Sequence, residues 1–131
     1  MYNALIVDDE PSARDSLKYL IDWEEHGFRI AAEAEDGKQA LELARSRHFA
    51  LILTDIRMPK MNGLELIEKL KEFSEAHVVI LSGYEDFEYA RQGMKLGVND
   101  YLLKPADEDD LIGVLQRIRT AIEEERLHRR Q

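Results

Sequence analysis

No cysteine occurs in the 131 residues, which excludes a disulfide framework and any thiolate chemistry. No apolar run approaches the roughly 20 residues that a membrane-spanning helix needs. Positive charge is scarce: 18 Lys and Arg stand against 27 Asp and Glu, for a formal net charge of −9. A phosphate backbone is bound by a basic face, so direct nucleic-acid contact is not expected of this chain. Its only dense basic cluster is Arg126, His128, Arg129 and Arg130, too small to change that reading. The histidines (His26, His48, His77 and His128) are scattered and show no zinc spacing. No internal repeat, low-complexity tract or linker interrupts the chain. A strand-like run begins almost at the first residue, without room for a leader. The expectation is a cytoplasmic protein without a membrane segment, long enough to bury one core without staples.

What is present is a regular alternation. Short apolar runs at Ala4–Val7, Phe28–Ala32, Ala50–Thr54, Val78–Leu81 and Tyr101–Leu103 alternate with helical stripes. The first stripe, Leu17, Leu20, Ile21 and Glu24, belongs to a helix opened by Pro11. Ala40, Leu41 and Ala44 follow Gly37; Leu64, Ile67 and Leu70 follow a Pro- and Gly-containing loop from Arg57 to Gly63. Phe87, Ala90 and Met94 precede a terminating Gly97. Leu111, Val114, Leu115, Ile118 and Ile122 form the last stripe, after which Glu123 to Arg126 either continue the helix or fray. Successive strand–helix units with right-handed crossovers give a doubly wound α/β fold, a parallel sheet with helices on both faces. Strands that read as continuous apolar runs fit a sheet buried on both sides.

Four of the five runs end in polar residues: Asp8 and Asp9, Asp55, Ser82, and Lys104 before Pro105. In a parallel sheet these converge at the carboxyl edge, where open α/β folds place their ligand sites. Each has an ordinary structural explanation alone, as a solvated turn acid, a strand cap, a turn serine or a surface lysine. Together they are harder to dismiss. Like charges at 4 Å repel by about 4 kcal/mol per pair at an effective dielectric near 20, a cost that a cation would remove. Oxygen-only ligation points to Mg²⁺ or a similar hard ion that shares its shell with a phosphate. Lys104, held extended by Pro105, can reach Asp55 or a phosphoryl oxygen as a compact charge. The leading reading is a magnesium-dependent phosphorylation site.

Five stretches in order then carry a resemblance: Leu5–Glu10, Ala34–Leu41, Leu53–Gly63, Ile80–Gly83 and Asp100–Pro105. The chain resembles, over nearly its full length, the response-regulator receiver domains of bacterial two-component signalling. That resemblance implies a flavodoxin-like (βα)5 fold, a five-stranded sheet in order 2-1-3-4-5. It implies that Asp55 is the phosphoacceptor, supplied by a sensor histidine kinase. Asp8 and Asp9 become the acidic pair at the Mg²⁺, with Arg57 adding its backbone carbonyl. Ser82 and Lys104 bind the phosphoryl group, and Tyr101 is the aromatic switch partner of Ser82. Arg57 and Tyr84 flank the path of hydrolytic water. The departures are mild: serine at position 82, where threonine is also common, and arginine at 57, where a smaller polar residue is frequent.

These expectations divide the chain into a receiver at 1–123 and a tail or linker start at 124–131. Phosphorylation would reshape the surface of the fourth helix, fifth strand and fifth helix, where Arg91, Lys95, Asp100 and Arg119 suit a homodimer, and so drive an output, transcription in the first instance. The alternative is a stand-alone regulator acting by protein contact. Leu20–Phe28, with Trp23 and Gly27, resembles receivers joined to arabinose-regulator-type helix-turn-helix outputs. A phosphohydrolase that uses an aspartate nucleophile is disfavoured, because Arg57 stands where a second acid is needed. A flavodoxin is disfavoured because Asp8-Asp9-Glu10 would repel a flavin phosphate.

Overall fold

The computed structural model describes residues 1–83 and 86–130, leaving aside the side chains of Phe87 and Arg130. Five strands, β1 (Tyr2–Val7), β2 (Phe28–Ala34), β3 (Leu51–Asp55), β4 (His77–Ser82) and β5 (Asp100–Leu103), pair in parallel in the order 2-1-3-4-5. They alternate with α1 (Pro11–Leu20), α2 (Gly37–Ser46), α3 (Gly63–Leu70), α4 (Phe87–Lys95) and α5 (Glu108–Arg130). This is the doubly wound parallel fold that the alternation of apolar runs predicts, with the flavodoxin-like strand order that the resemblance implies.

Local chemistry sets the helix ends. Asp36 caps α2 by accepting from the Gln39 N–H at 2.8 Å. Asn62 and Glu65 form a reciprocal capping box on α3. Gly97, at φ +89°, closes α4 in a left-handed turn that L side chains rarely adopt. Pro11 opens α1, but Glu10 at its N-cap makes no side-chain capping bond.

The strands feed two cores, one on each face of the sheet. Ala4, Ile6, Leu51, Leu53, Val79, Leu81 and Leu102 pack with Leu17 of α1 and with Leu111, Val114, Leu115, Ile118 and Ile122 of α5. Leu5, Val7, Ile52, Val78 and Ile80 face the other way, toward Ala40 and Leu41 of α2, Leu66, Ile67 and Leu70 of α3, and Ala90 of α4. Strand side chains alternate between faces, so parity decides which helices a residue meets.

Several details differ from the sequence reading. α1 stops at Leu20; Ile21 caps it, and Glu24 belongs to a separate 3-10 turn at Trp23–His26. That turn buries Trp23, whose indole donates to the Leu17 carbonyl at 2.9 Å. β2 runs on to Ala34. Leu66, rather than Leu64, joins Ile67 and Leu70 in the core of α3. Met94 is 47% exposed, because Gly93 takes the inward position on α4. The stretch Glu123 to Arg126 continues α5, and the helix is tied down within and beyond it: Glu125 meets His77 at 3.2 Å and Arg129 meets Glu75 at 2.8 Å.

Candidate functional site

Register brings the polar residues together. Val7 lies opposite Thr54, so Asp8 leaves β1 beside Asp55 at the end of β3. Ser82 lies opposite Leu103, which puts Lys104 just beyond the last pair of β4 and β5. Carboxylate oxygens of Asp8, Asp9 and Asp55 all fall within 4.8 Å of one another. The Lys104 ammonium donates to Asp8 Oδ2 at 2.7 Å and sits 3.2 Å from Asp55 Oδ2. Asp8 is fully buried and Asp55 nearly so, while Asp9 is exposed.

Backbone donors hold the two buried acids. Asp8 Oδ1 accepts from the Glu10 N–H at 3.0 Å, and Asp55 Oδ1 from the Ile56 N–H at 2.8 Å. Arg14, from the first turn of α1, donates to the Asp8 carbonyl at 2.5 Å and pairs with Glu33 of β2 at 3.1 Å. Gly63 makes room behind Asp55: a Cβ there would lie 2.4 Å from the Asp55 carbonyl oxygen.

Burial pushes the Asp55 carboxyl above its ordinary range; the Asp8 charge adds to this, and the Lys104 ammonium and the Ile56 N–H oppose it. Lys104 feels burial in the opposite sense, but its hydrogen bond to Asp8 and the charges of Asp55 and Asp8 hold it above 10.5. When all three acids are ionised, three negative charges face one ammonium, leaving a deficit equal to one divalent cation. The donors are all oxygen, two fixed in the wall and one at the open side. That set fits a hard ion that retains water or phosphate oxygens.

A cavity of about 690 Å³ opens over this cluster, lined among others by Asp8, Asp9, Asp55, Arg57 and Lys104. Ser82 and Tyr101 are not on that wall, and parity accounts for it. Asp55 and Lys104 follow the alternation of Leu53 and Leu102 toward the α1–α5 side. Ser82, in step with Val78 and Ile80, belongs to the α4 side, where it is 2% exposed. Tyr101 pairs in register with Ile80 and is 47% exposed.

Arg57 lines the cavity with its guanidinium already paired. It forms an ion pair with the buried Asp86 at the start of α4 and lies 5.4 Å from the Tyr89 ring centroid. Tyr84, the other residue expected beside the water path, lies outside the described residues. On the surface expected to form a homodimer, Asp100 is already paired within the chain, to Arg117 at 2.6 Å. Arg119 does not belong to that surface. Its guanidinium lies over Gly27, next to the start of β2, at the opposite edge of the sheet. Sequence reasoning missed Arg14, Glu33 and Asp86; the available signal was Arg14 and Lys18, four apart on α1, both meeting Glu33.

Residues 4–116 match the response regulator receiver domain family. The transcriptional regulatory protein HptR of Staphylococcus aureus is 40% identical over 126 residues, covering 95% of this chain and 50% of that protein. The receiver domain of AraT, a response regulator from Geobacillus stearothermophilus, superposes with a TM-score of 0.90 at 38% identity, covering 95% of this chain and 98% of that one. A two-component transcriptional regulator AraC from Clostridium phytofermentans gives 0.86 at 33% identity, covering 96% and 98%. The chain spans half or less of the length of the curated relatives it matches, from 36% to 50%. No described helix is long and apolar enough to cross a membrane.

Proposed function

The chain belongs to the response-regulator receiver-domain family, and on that premise we propose that it accepts a phosphoryl group on Asp55 from a sensor histidine kinase. The observation that carries this reading is the charge deficit: three convergent carboxylates set against one Lys104 ammonium. Mg²⁺ held by Asp8, Asp9, Asp55 and the Arg57 carbonyl would neutralise charge on the transferring phosphoryl oxygens.

Asp55 acts as the nucleophile. Its carboxylate oxygen forms the new O–P bond as the P–N bond to the kinase imidazole breaks, and the bonding pair leaves with the imidazole. Partial burial makes this carboxylate more basic than a free one, which favours attack. Lys104 moves from Asp8 and Asp55 toward the incoming phosphoryl oxygens, a transfer of one ion pair for another. The protein is thus a phosphoacceptor that assists its own modification rather than a turnover enzyme.

The output runs through the other face of the sheet. Ser82 donates its hydroxyl to the phosphoryl group, leaving space on the α4 side of β4, and the exposed Tyr101 turns inward to fill it. The modification selects between two arrangements that already exchange. The reshaped α4–β5–α5 surface then forms a homodimer and controls transcription through a segment outside this chain. HptR and the Clostridium protein are both named transcriptional regulators, which favours this over a stand-alone regulator. Nucleic-acid contact falls to that other segment, because this chain carries a net charge of −9. The same reading places the protein in the cytoplasm, where a kinase domain can reach it.

Melting with and without Mg²⁺ tests the charge-deficit argument. At a hundredfold excess over the dissociation constant the ion should stabilise the fold by about 2.7 kcal/mol, and Asp9→Ala should remove the shift. A wild-type curve that does not move with Mg²⁺ would rule out the metal site.

A further inference from the structure

We infer that Arg14 is a positioning residue for the divalent-cation site: it fixes the backbone of the β1–α1 loop so that Asp8 and Asp9 present their carboxylates together. This inference rests on the phosphoacceptor reading above and adds a residue that the reading does not use.

The loop between Val7 and Pro11 is three residues long and contributes two of the three acids. Glu10 makes no side-chain cap, and Pro11, lacking an N–H, cannot donate to the turn. Lys104 holds the Asp8 carboxylate at 2.7 Å, and the Glu10 carbonyl accepts from the Ala13 and Arg14 N–H groups at 3.1 and 3.2 Å. The backbone around Asp8 is held by the Asp8 N–H to the Ala34 carbonyl at 3.0 Å, the Glu10 N–H to Asp8 Oδ1 at 3.0 Å, and Arg14. Among the described residues, Arg14 alone reaches the Asp8 carbonyl from the side chain of another element, at 2.5 Å. Its side chain is only 15% exposed, and Glu33 on β2 fixes the other edge of its fork. One planar guanidinium thus joins helix, loop and strand, a geometry that a single ammonium cannot reproduce.

The sign of the effect separates positioning from simple charge. Arg14 is a cation near a cation site. If it acted only through its charge, removing it would tighten divalent binding. If it acts by holding the loop, removing it loosens binding although no ligand is lost. Outer partners of metal ligands commonly contribute tenfold or more in affinity. Lys18 provides the matched control. It is also a cation on α1 and also pairs with Glu33, at 2.9 Å, but it makes no bond to Asp8.

The experiment is calorimetric titration of MgCl2 into wild type, Arg14→Ala, Arg14→Lys and Lys18→Ala, with melting curves showing that each variant is folded. Arg14→Ala should raise the Mg²⁺ dissociation constant about tenfold, and Arg14→Lys should recover only part of that. Lys18→Ala should leave it unchanged or slightly lower. Equal or tighter binding by Arg14→Ala would overturn the inference. So would equal weakening by Lys18→Ala, which would make Glu33 pairing alone responsible. If Arg14→Ala does not fold, Arg14→Lys decides: full wild-type affinity contradicts the inference. Failure of the wild type to bind Mg²⁺ would instead remove the phosphoacceptor reading beneath it.

Discussion

At the scale of single residues, Asp55 and Lys104 have opposite thermodynamic roles. Asp55 has a raised pKa, so between 3.8 and its raised value the folded protein binds more protons than the unfolded one. Its ionisation therefore lowers stability as pH rises through that window. Asp55→Asn should melt higher than wild type at pH 7 without metal, and the gap should close as the pH falls through the window. A gap that widens on acidification would contradict the assignment. Lys104 is raised above 10.5, so its contribution is complete below that pH and is lost only at more alkaline pH. Its removal strands a fully buried Asp8. Breaking a buried pair costs about 3–5 kcal/mol; with the Lys104 side chain 31% exposed, Lys104→Ala should cost about 2 kcal/mol, discounted for solvent screening. Mg²⁺ should restore part of it. Denaturant unfolding in EDTA and in Mg²⁺ reads both numbers, and a fully stable variant in EDTA would refute the pairing.

At the scale of elements, the site depends on how closely α3 approaches the end of β3. A Cβ on Gly63 would meet two backbone atoms, the Asp55 oxygen at 2.4 Å and the Ile56 Cα at 2.9 Å. Neither can rotate away. Gly63→Ala should therefore cost about 2–3 kcal/mol, visible as a fall in Tm of about 10 °C; an unchanged Tm would show that the helix start can shift freely. The elements were legible in the sequence because each apolar run is short and bounded, and Gly97 and Pro11 mark helix ends by known chemistry. The direction of each functional side chain was not. Both faces of this sheet are apolar, so the runs carry no alternation that would reveal parity. That is why Ser82 reads as a neighbour of Asp55 and Lys104 in sequence, yet lies toward α4 in the fold. Arg119 illustrates the same limit on a helix. It is exposed, as its polar spacing suggests, but toward Gly27 rather than the α4–β5 edge.

At the scale of the whole molecule, the reading is of one switch with two faces, acids and ammonium on the α1–α5 side and Ser82 and Tyr101 on the α4 side. Exposed Tyr89, Met94 and Tyr101 lie on α4 and β5, so the proposed dimer has apolar area to bury as well as charges to match. Sedimentation should show weak self-association that tightens with beryllofluoride and Mg²⁺ and weakens with added salt, as Arg91 and Lys95 are screened. A mimic-bound protein that stays monomeric at high concentration would refute the dimer while leaving the site intact. The whole account turns on where a phosphoryl group attaches. Intact-mass spectrometry after incubation with a small acyl phosphate and Mg²⁺ measures this directly. The account predicts a single phosphoryl adduct on the wild type, none with EDTA and none on Asp55→Asn; an adduct that survives that substitution would contradict it.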